Sequence, residues 1–237
     1  YGDFHPDRQF AACHDYLERA RAAHRRAPDP DYEIIDDRRG EHPFRVAIIV
    51  SMYNAAPKLK LFLDSLLDQT LVQRNEAEFV FVDSASPSDE YSVIREHPIS
   101  SRGVVVFARS TRRETIQLAW NRGVSLAHAP FLAMLGVDEG ATESDSLEIL
   151  VREMEADPQL DWIQANALQT EVDEQGRHVR DLPTYDRSGH CHGLEYLDPW
   201  YLSFVGAVLR KSIHERFGFY DPTFRGGGDT EFKNRVL

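Results

Sequence analysis

The sequence predicts an α/β protein with a mostly parallel central sheet flanked by helices. Two observations carry this expectation. Strand-length runs that are apolar throughout, as strands buried on both faces must be, alternate with segments of helical period. Polar and charged residues then gather just after those runs, where the loops of a parallel sheet part and bind ligands.

The elements follow in order. Residues 46–50 form the first apolar run, and a helix is expected over 57–72, where Leu59, Leu63, Leu66, Leu67 and Leu71 recur at helical spacing behind Pro57, a residue suited to a first turn. Strands are expected again at 79–82, 104–107 and 131–135. A helix over 116–127 rests on Ile116, Ala119, Trp120, Gly123 and Ala127. Past Leu135 the alternation loosens into a mixed subregion. It holds a helix over 146–156 (Leu147, Leu150, Val151, Met154), a strand over 162–170, a turn at 173–176 with a return strand, and a polar loop over 181–199. A strand over 201–209, a short helix over 211–217 closed by Gly218, and a last helix opened by Arg225-Gly-Gly-Gly-Asp229 complete the chain. Residues 1–44 are polar, with one helical stretch at 10–26 before Pro28, Asp29 and Pro30, and read as an N-terminal helical appendage on a domain of residues 45–237.

Composition excludes several functions. Lys and Arg number 27 against 39 for Asp and Glu, a net charge of −12 that repels phosphate backbones, so nucleic acid is not an expected partner. Cys13 and Cys191 are too few for a disulfide framework, which favours a reducing, cytoplasmic compartment. His190, Cys191 and His192 lack the ligand count and spacing of a structural zinc site. No apolar run approaches the roughly 20 residues that cross a bilayer, and no signal-peptide pattern opens the chain. The chain starts at Tyr1 without methionine and stops at Leu237 inside a helical pattern, which reads as a piece of something longer. A Gly-x-Gly-x-x-Gly dinucleotide turn is excluded because residues 51–56 hold no glycine, and no P-loop motif occurs.

The polar residues at the strand ends form a series. Ser51, Tyr53 and Asn54 follow the first strand, Asp83 and Ser84 the second, Arg109, Arg112 and Arg113 the third, and Asp138 and Glu139 the fourth. Taken singly, each has a structural explanation: packing for Tyr53, a turn at Asp83, a solvated face for the arginines, helix capping for the acids. Taken together, an aromatic and a carboxylate suit a base, arginines suit a diphosphate, and an acidic pair suits a hard divalent cation.

At this point the motifs resemble a known family. Arg45-Val-Ala-Ile-Ile-Val-Ser-Met-Tyr53-Asn54, Leu66-Leu-Asp-Gln69-Thr70, Glu78-Phe-Val-Phe-Val-Asp83, Ala119-Trp-Asn121-Arg-Gly123 and the run from Phe131 to Glu139 are similar, in that order, to family 2 glycosyltransferases of the GT-A fold, with its Rossmann-like sheet. Phe217-Gly218-Phe-Tyr220-Asp221 and Gly228-Asp229-Thr-Glu231 resemble the family's acceptor-side segment. The resemblance implies a donor half over 45–140 and an acceptor half over 141–237, cut short at the C-terminus. It implies that Tyr53 and Asp83 hold the base, that Asp138 is the metal ligand of the family's Asp-x-Asp signature, and that Asp229 is the catalytic base. Two positions depart from the pattern. Gly136 replaces the first acid of the signature, which leaves the Mn²⁺ or Mg²⁺ to Asp138 helped by Glu139, and Ser84 replaces the second acid of the usual Asp-Asp pair, which leaves uridine a preference. Gly228 stands where an acid usually precedes the catalytic Asp, in a glycine run expected to be mobile.

The implied activity is metal-dependent, inverting transfer of a hexosyl group from a nucleoside diphosphate sugar, UDP-linked by preference. The acceptor is a hydroxyl of a saccharide or glycoconjugate, as in polysaccharide biosynthesis at the inner face of a membrane. Arg109 and Arg113 would clamp the diphosphate. The alternative is a GT-A-like domain that binds nucleotide sugars, or acts as a scaffold, without catalysis.

Overall fold

The computed structural model describes residues 14–16, 18–20, 22–24, 31–141, 143–173, 178–182 and 206–236. Among these residues seven strands make the central sheet: β1 (Tyr32–Asp37), β2 (Val46–Met52), β3 (Ala77–Asp83), β4 (Val105–Ser110), β5 (Phe131–Leu135), β6 (Trp162–Gln164) and β9 (Ala207–Arg210). Their spatial order is β1-β4-β3-β2-β5-β9-β6. The strands β4, β3, β2 and β5 are mutually parallel, while β1 and β9 join the two sides of that core antiparallel. Neighbouring Ile48 and Ile49 point to opposite faces of β2 and neither is exposed, so both faces are covered. Each such burial contributes roughly 1.5–3 kcal/mol, which is why the first run is apolar without alternation.

The helices are α1 (Ala56–Leu67), α2 (Thr70–Gln73), α3 (Glu90–Glu96), α4 (Ile116–Leu126), α5 (Ser146–Ala156), α6 (Ile213–Phe217) and α7 (Gly228–Val236). Helix α4 lies directly on β2 because Gly123 permits it: a Cβ there would sit 2.2 Å from Ile49 Cγ2. Among the described residues no helix is long and apolar enough to cross a membrane.

Several elements differ from the sequence expectation. The helix expected over 57–72 is two helices, broken where Gln69 turns extended. The Gln69 amide explains the break: it donates to the Glu143 carbonyl (2.6 Å) and accepts from the Leu147 amide (3.2 Å), tying the end of α1 to the start of α5. Helix α3, capped by Asp89, and a 3-10 turn at Pro98–Arg102 fill a stretch to which the sequence reading assigned no element. Strand β1 arises from the segment expected to be a helical appendage, though residues 14–16 and 18–20 are indeed helical. It is a polar edge strand, anchored just beyond its end by Arg39, which donates to the buried Glu78 carboxylate at 2.8 Å and to the Leu126 carbonyl at 2.7 Å. The strand expected over 162–170 shortens to β6, and its far end becomes β7 (Thr170–Val172), paired antiparallel with β8 (His178–Asp181).

Candidate active site

The carboxyl ends of β2, β3, β4 and β5 open onto one side of the sheet, and the loops there are shaped by a chain of hydrogen bonds. Asn54 adopts a left-handed conformation (φ 53°) just after β2. Its amide donates to Ser86 Oγ (3.0 Å), and the next amide, Ala55, donates to Glu90 Oε1 (2.7 Å). The Ser86 amide and hydroxyl in turn donate to Asp83 Oδ1, at 3.0 and 2.5 Å. The turn reading of Asp83 is thus satisfied by one carboxylate oxygen. The other, Oδ2, is buried without a hydrogen bond. Burial pushes the Asp83 carboxyl above the usual carboxylate range, against the pull of Ser86 and Arg109. Glu90 is also buried, but hydrogen bonds from Ser88 and the Ala55 amide outweigh desolvation and hold its carboxyl low. Sequence reasoning took Ser86 only as part of a turn after Asp83 and gave Glu90 no role.

The two predicted arginines each meet one of the two predicted base contacts. Arg109 lies opposite Asp83 in the β3–β4 register, with Nε 3.3 Å from Asp83 Oδ2 and Nη2 donating to the Ser86 carbonyl at 2.7 Å. The Nε approach is within ion-pair range but is not aligned as a hydrogen bond. The Arg113 guanidinium stacks on the Tyr53 ring, 4.0 Å from its centroid. Arg112 instead turns toward Asp31, before β1.

Beyond β5, Asp138 is exposed and Glu139 half-buried. A Cβ placed on Gly136 would lie 2.7 Å from Asp138 Oδ1 and 3.5 Å from Glu139 Oε1, so both carboxylates converge on the space an acid at 136 would need. Glu139 Oε2 is buried without a partner. Burial foremost, with the charge of Asp138 adding to it, pushes the Glu139 carboxyl up to about 7. Both acids line a cavity of about 710 Å³ walled by Leu66, Leu135, Leu147 and Leu150. Among the described residues no group of three or more His, Cys, Asp or Glu is arranged so that it could hold a metal ion by itself. Two convergent acids, one with an orphaned oxygen, nevertheless fit a hard cation whose remaining ligands are phosphate oxygens and water.

Asp229 sits inside the first turn of α7, with Gly227 (φ 73°) before the helix, so the capping position is not its own. Glu231 and Arg235, spaced i, i+4, brace each other at 2.7 Å, and Arg235 also donates to the Phe217 and Phe219 carbonyls. Gly228 is buried rather than loose: a Cβ there would meet the Gln117 side chain at 2.6 Å. Among the described residues no hydrogen bond or ion pair joins Asp229 to the Asp83 or Asp138 groups. Asn121 of α4 clasps the segment that precedes α7: its side chain donates to the Tyr220 carbonyl (2.8 Å) and accepts from the Tyr220 amide (2.9 Å). Asn121→Ala is expected to cost about 2–4 kcal/mol, because it orphans two buried backbone groups. Urea denaturation measures this, and a loss under 0.5 kcal/mol, within the range typical of a neutral surface change, would show that the clasp carries no load.

His190, Cys191 and His192, with Trp200 and Tyr201, lie outside the described residues. The profile of the family described as Glycosyl transferase family 2 matches residues 47–218. No curated protein matches the chain significantly. Solved structures do. S. aureus TarS 1–349 in complex with UDP aligns with a TM-score of 0.63 and 14% identity, covering 80% of this chain and 54% of that one. A mannosyltransferase from Pyrobaculum calidifontis, PcManGT, in complex with GDP-Man and Mn²⁺, aligns with a TM-score of 0.58 and 20% identity, covering 94% and 60%. The chain therefore spans little more than half the length of these proteins, and the likeness is one of fold.

Proposed function

This chain belongs to glycosyl transferase family 2, and on that premise we propose that it transfers a sugar, with inversion, from a nucleoside diphosphate sugar to a hydroxyl of a saccharide or glycoconjugate. The observation that carries the reading is the placement of Tyr53, Asp83, Arg109, Arg113, Asp138 and Glu139 at the carboxyl ends of four adjacent parallel strands. Tyr53 and Asp83 receive the base, with uridine preferred from the motif. The UDP and GDP-Man complexes of the two structural neighbours support a nucleotide sugar in general. Asp138 and Glu139 would hold Mn²⁺ or Mg²⁺, which when bound supplies positive charge to the departing diphosphate.

The remaining chemistry falls to the chain. Asp229 accepts the proton of the acceptor hydroxyl as that oxygen forms its bond to the anomeric carbon. The bond from that carbon to the diphosphate breaks on the opposite face, and the arginines take up part of the charge that develops. A cytoplasmic setting belongs to the same reading and rests on composition.

The test is calorimetry of UDP and GDP, first in EDTA and then in Mn²⁺. Binding is expected to strengthen at least tenfold with metal, since an acidic chain of net charge −12 otherwise holds a diphosphate beside Asp138. Asp138→Ala is expected to remove most of that gain. Equal affinity in the two conditions would take Asp138 out of the metal role. Donor and metal binding with no transfer to any acceptor, and no hydrolysis of the sugar nucleotide, would favour the binding domain instead.

A further inference from the structure

We propose that Arg109 and Arg113 act as place-holders in the base site, giving up Asp83 and Tyr53 to an incoming nucleobase and transferring to its diphosphate. The inference rests on the nucleotide reading above and adds an exchange to it. Both residues assigned to the base are covered at once. The Tyr53 ring, 42% exposed, carries the Arg113 guanidinium at 4.0 Å, where a base would stack. Asp83 is 1% exposed, and its one oxygen without a hydrogen bond has Arg109 Nε 3.3 Å away. Arg109 itself is 42% exposed, so it lies on the solvent side of that oxygen. A base N–H reaches Asp83 Oδ2 only after Arg109 withdraws.

The contacts match one for one. A flat base replaces a flat guanidinium on Tyr53, and a base N–H replaces Arg109 Nε at Asp83. Few bonds hold either arginine in place: among the described residues Arg113 has the ring contact alone, and Arg109 has one aligned bond, to the neutral Ser86 carbonyl, beside its 3.3 Å approach to Asp83. The backbone between them need not move. Ser110 and Glu114 are joined by a 2.7 Å hydrogen bond, and Glu114 is clasped by Arg122, so the loop is fixed while its long side chains swing. The exchange makes binding selective. A nucleoside must displace two cations and offers them nothing, whereas a nucleoside diphosphate receives both. The site therefore rejects free nucleosides more strongly than phosphate contacts alone would.

The test is calorimetry of uridine with UDP, and guanosine with GDP, in Mn²⁺, on the native chain, Arg113→Ala, and Arg113→Ala combined with Tyr53→Leu. Arg113→Ala is expected to bind the nucleoside about two- to fivefold more tightly, the equivalent of one exposed cation–π contact released. It is expected to bind the diphosphate about tenfold more weakly, having lost one charged hydrogen-bond donor. The nucleoside gain should vanish in the double variant, which has no ring to uncover. Arg113 is exposed, so thermal melting should stay unchanged and certify the fold. Unchanged or weaker nucleoside binding in Arg113→Ala overturns the exchange while leaving the nucleotide site standing. A native chain that binds neither UDP nor GDP overturns both.

Discussion

Asp229→Asn is expected to abolish sugar transfer while leaving donor affinity and thermal stability close to those of the native chain. The amide keeps the shape of the carboxylate and loses only its capacity to take a proton. General base catalysis is worth roughly 10²- to 10⁴-fold, so the turnover should fall by about that factor. The structural cost is bounded by the position of Asp229. It lies half-buried in the first turn of α7, where a negative charge interacts with the helix dipole by up to about 2 kcal/mol.

A purely structural role would produce a different pattern. The helix is anchored elsewhere, through Arg235 on the Phe217 and Phe219 carbonyls and through Phe232, which is fully buried. Those contacts survive the substitution, so a stability loss of several kcal/mol would place Asp229 in the scaffold. Turnover, measured with a donor and acceptor pair that the native chain uses, decides the chemistry. Near-native turnover in Asp229→Asn would sink the proposed mechanism, whatever happened to the melting temperature.

What could be read from the sequence depended on how strongly burial constrains each segment. The strand Phe131–Leu135 and the helix Ser146–Ala156 sit where periodicity placed them, because every inward position is apolar. Strand β1 was missed because an edge strand need bury little: Ile34 and Ile35 remain 48% and 39% exposed. The break between α1 and α2 was missed because Leu66, Leu67 and Leu71 keep helical spacing across it, while the cause is the Gln69 side chain reaching the start of α5, far along the chain. The candidate site divides in the same way. Its residue types at successive strand ends were legible, since strand ends are set by the apolar runs. Their pairing was not. Arg109 on Asp83 and Arg113 on Tyr53 are products of strand order, and the Asn121–Tyr220 clasp joins residues 99 apart in sequence. Gly123 was read as part of a helix stripe. Its actual reason is the approach of α4 to Ile49, a distance that a sequence does not display.

Arg122→Met is expected to produce the largest loss of stability, about 3–5 kcal/mol, because it leaves the charge of Glu114 buried without its guanidinium. The Arg122 and Glu114 side chains are 2% and 1% exposed, Arg122 Nε donates to Glu114 Oε2 at 2.7 Å, and a second contact runs from Nη2 to Oε1. Glu114 Oε2 also accepts from Ser110 Oγ. This network closes residues 110–114 onto α4, with Arg109 and Arg113 at its two ends, so its loss should reach the donor site as well. UDP affinity is therefore expected to fall with stability, measured well below the melting temperature so that unfolding does not contribute. Combining Arg122→Met with Glu114→Leu separates the two effects. Apolar replacement of a whole buried pair is often neutral or stabilising, so the double variant should regain most of the lost stability. Its loop has no ionic clasp, and UDP affinity should stay low. Recovery of both quantities together would show that the pair serves the core alone, and that the arginines are held by other means.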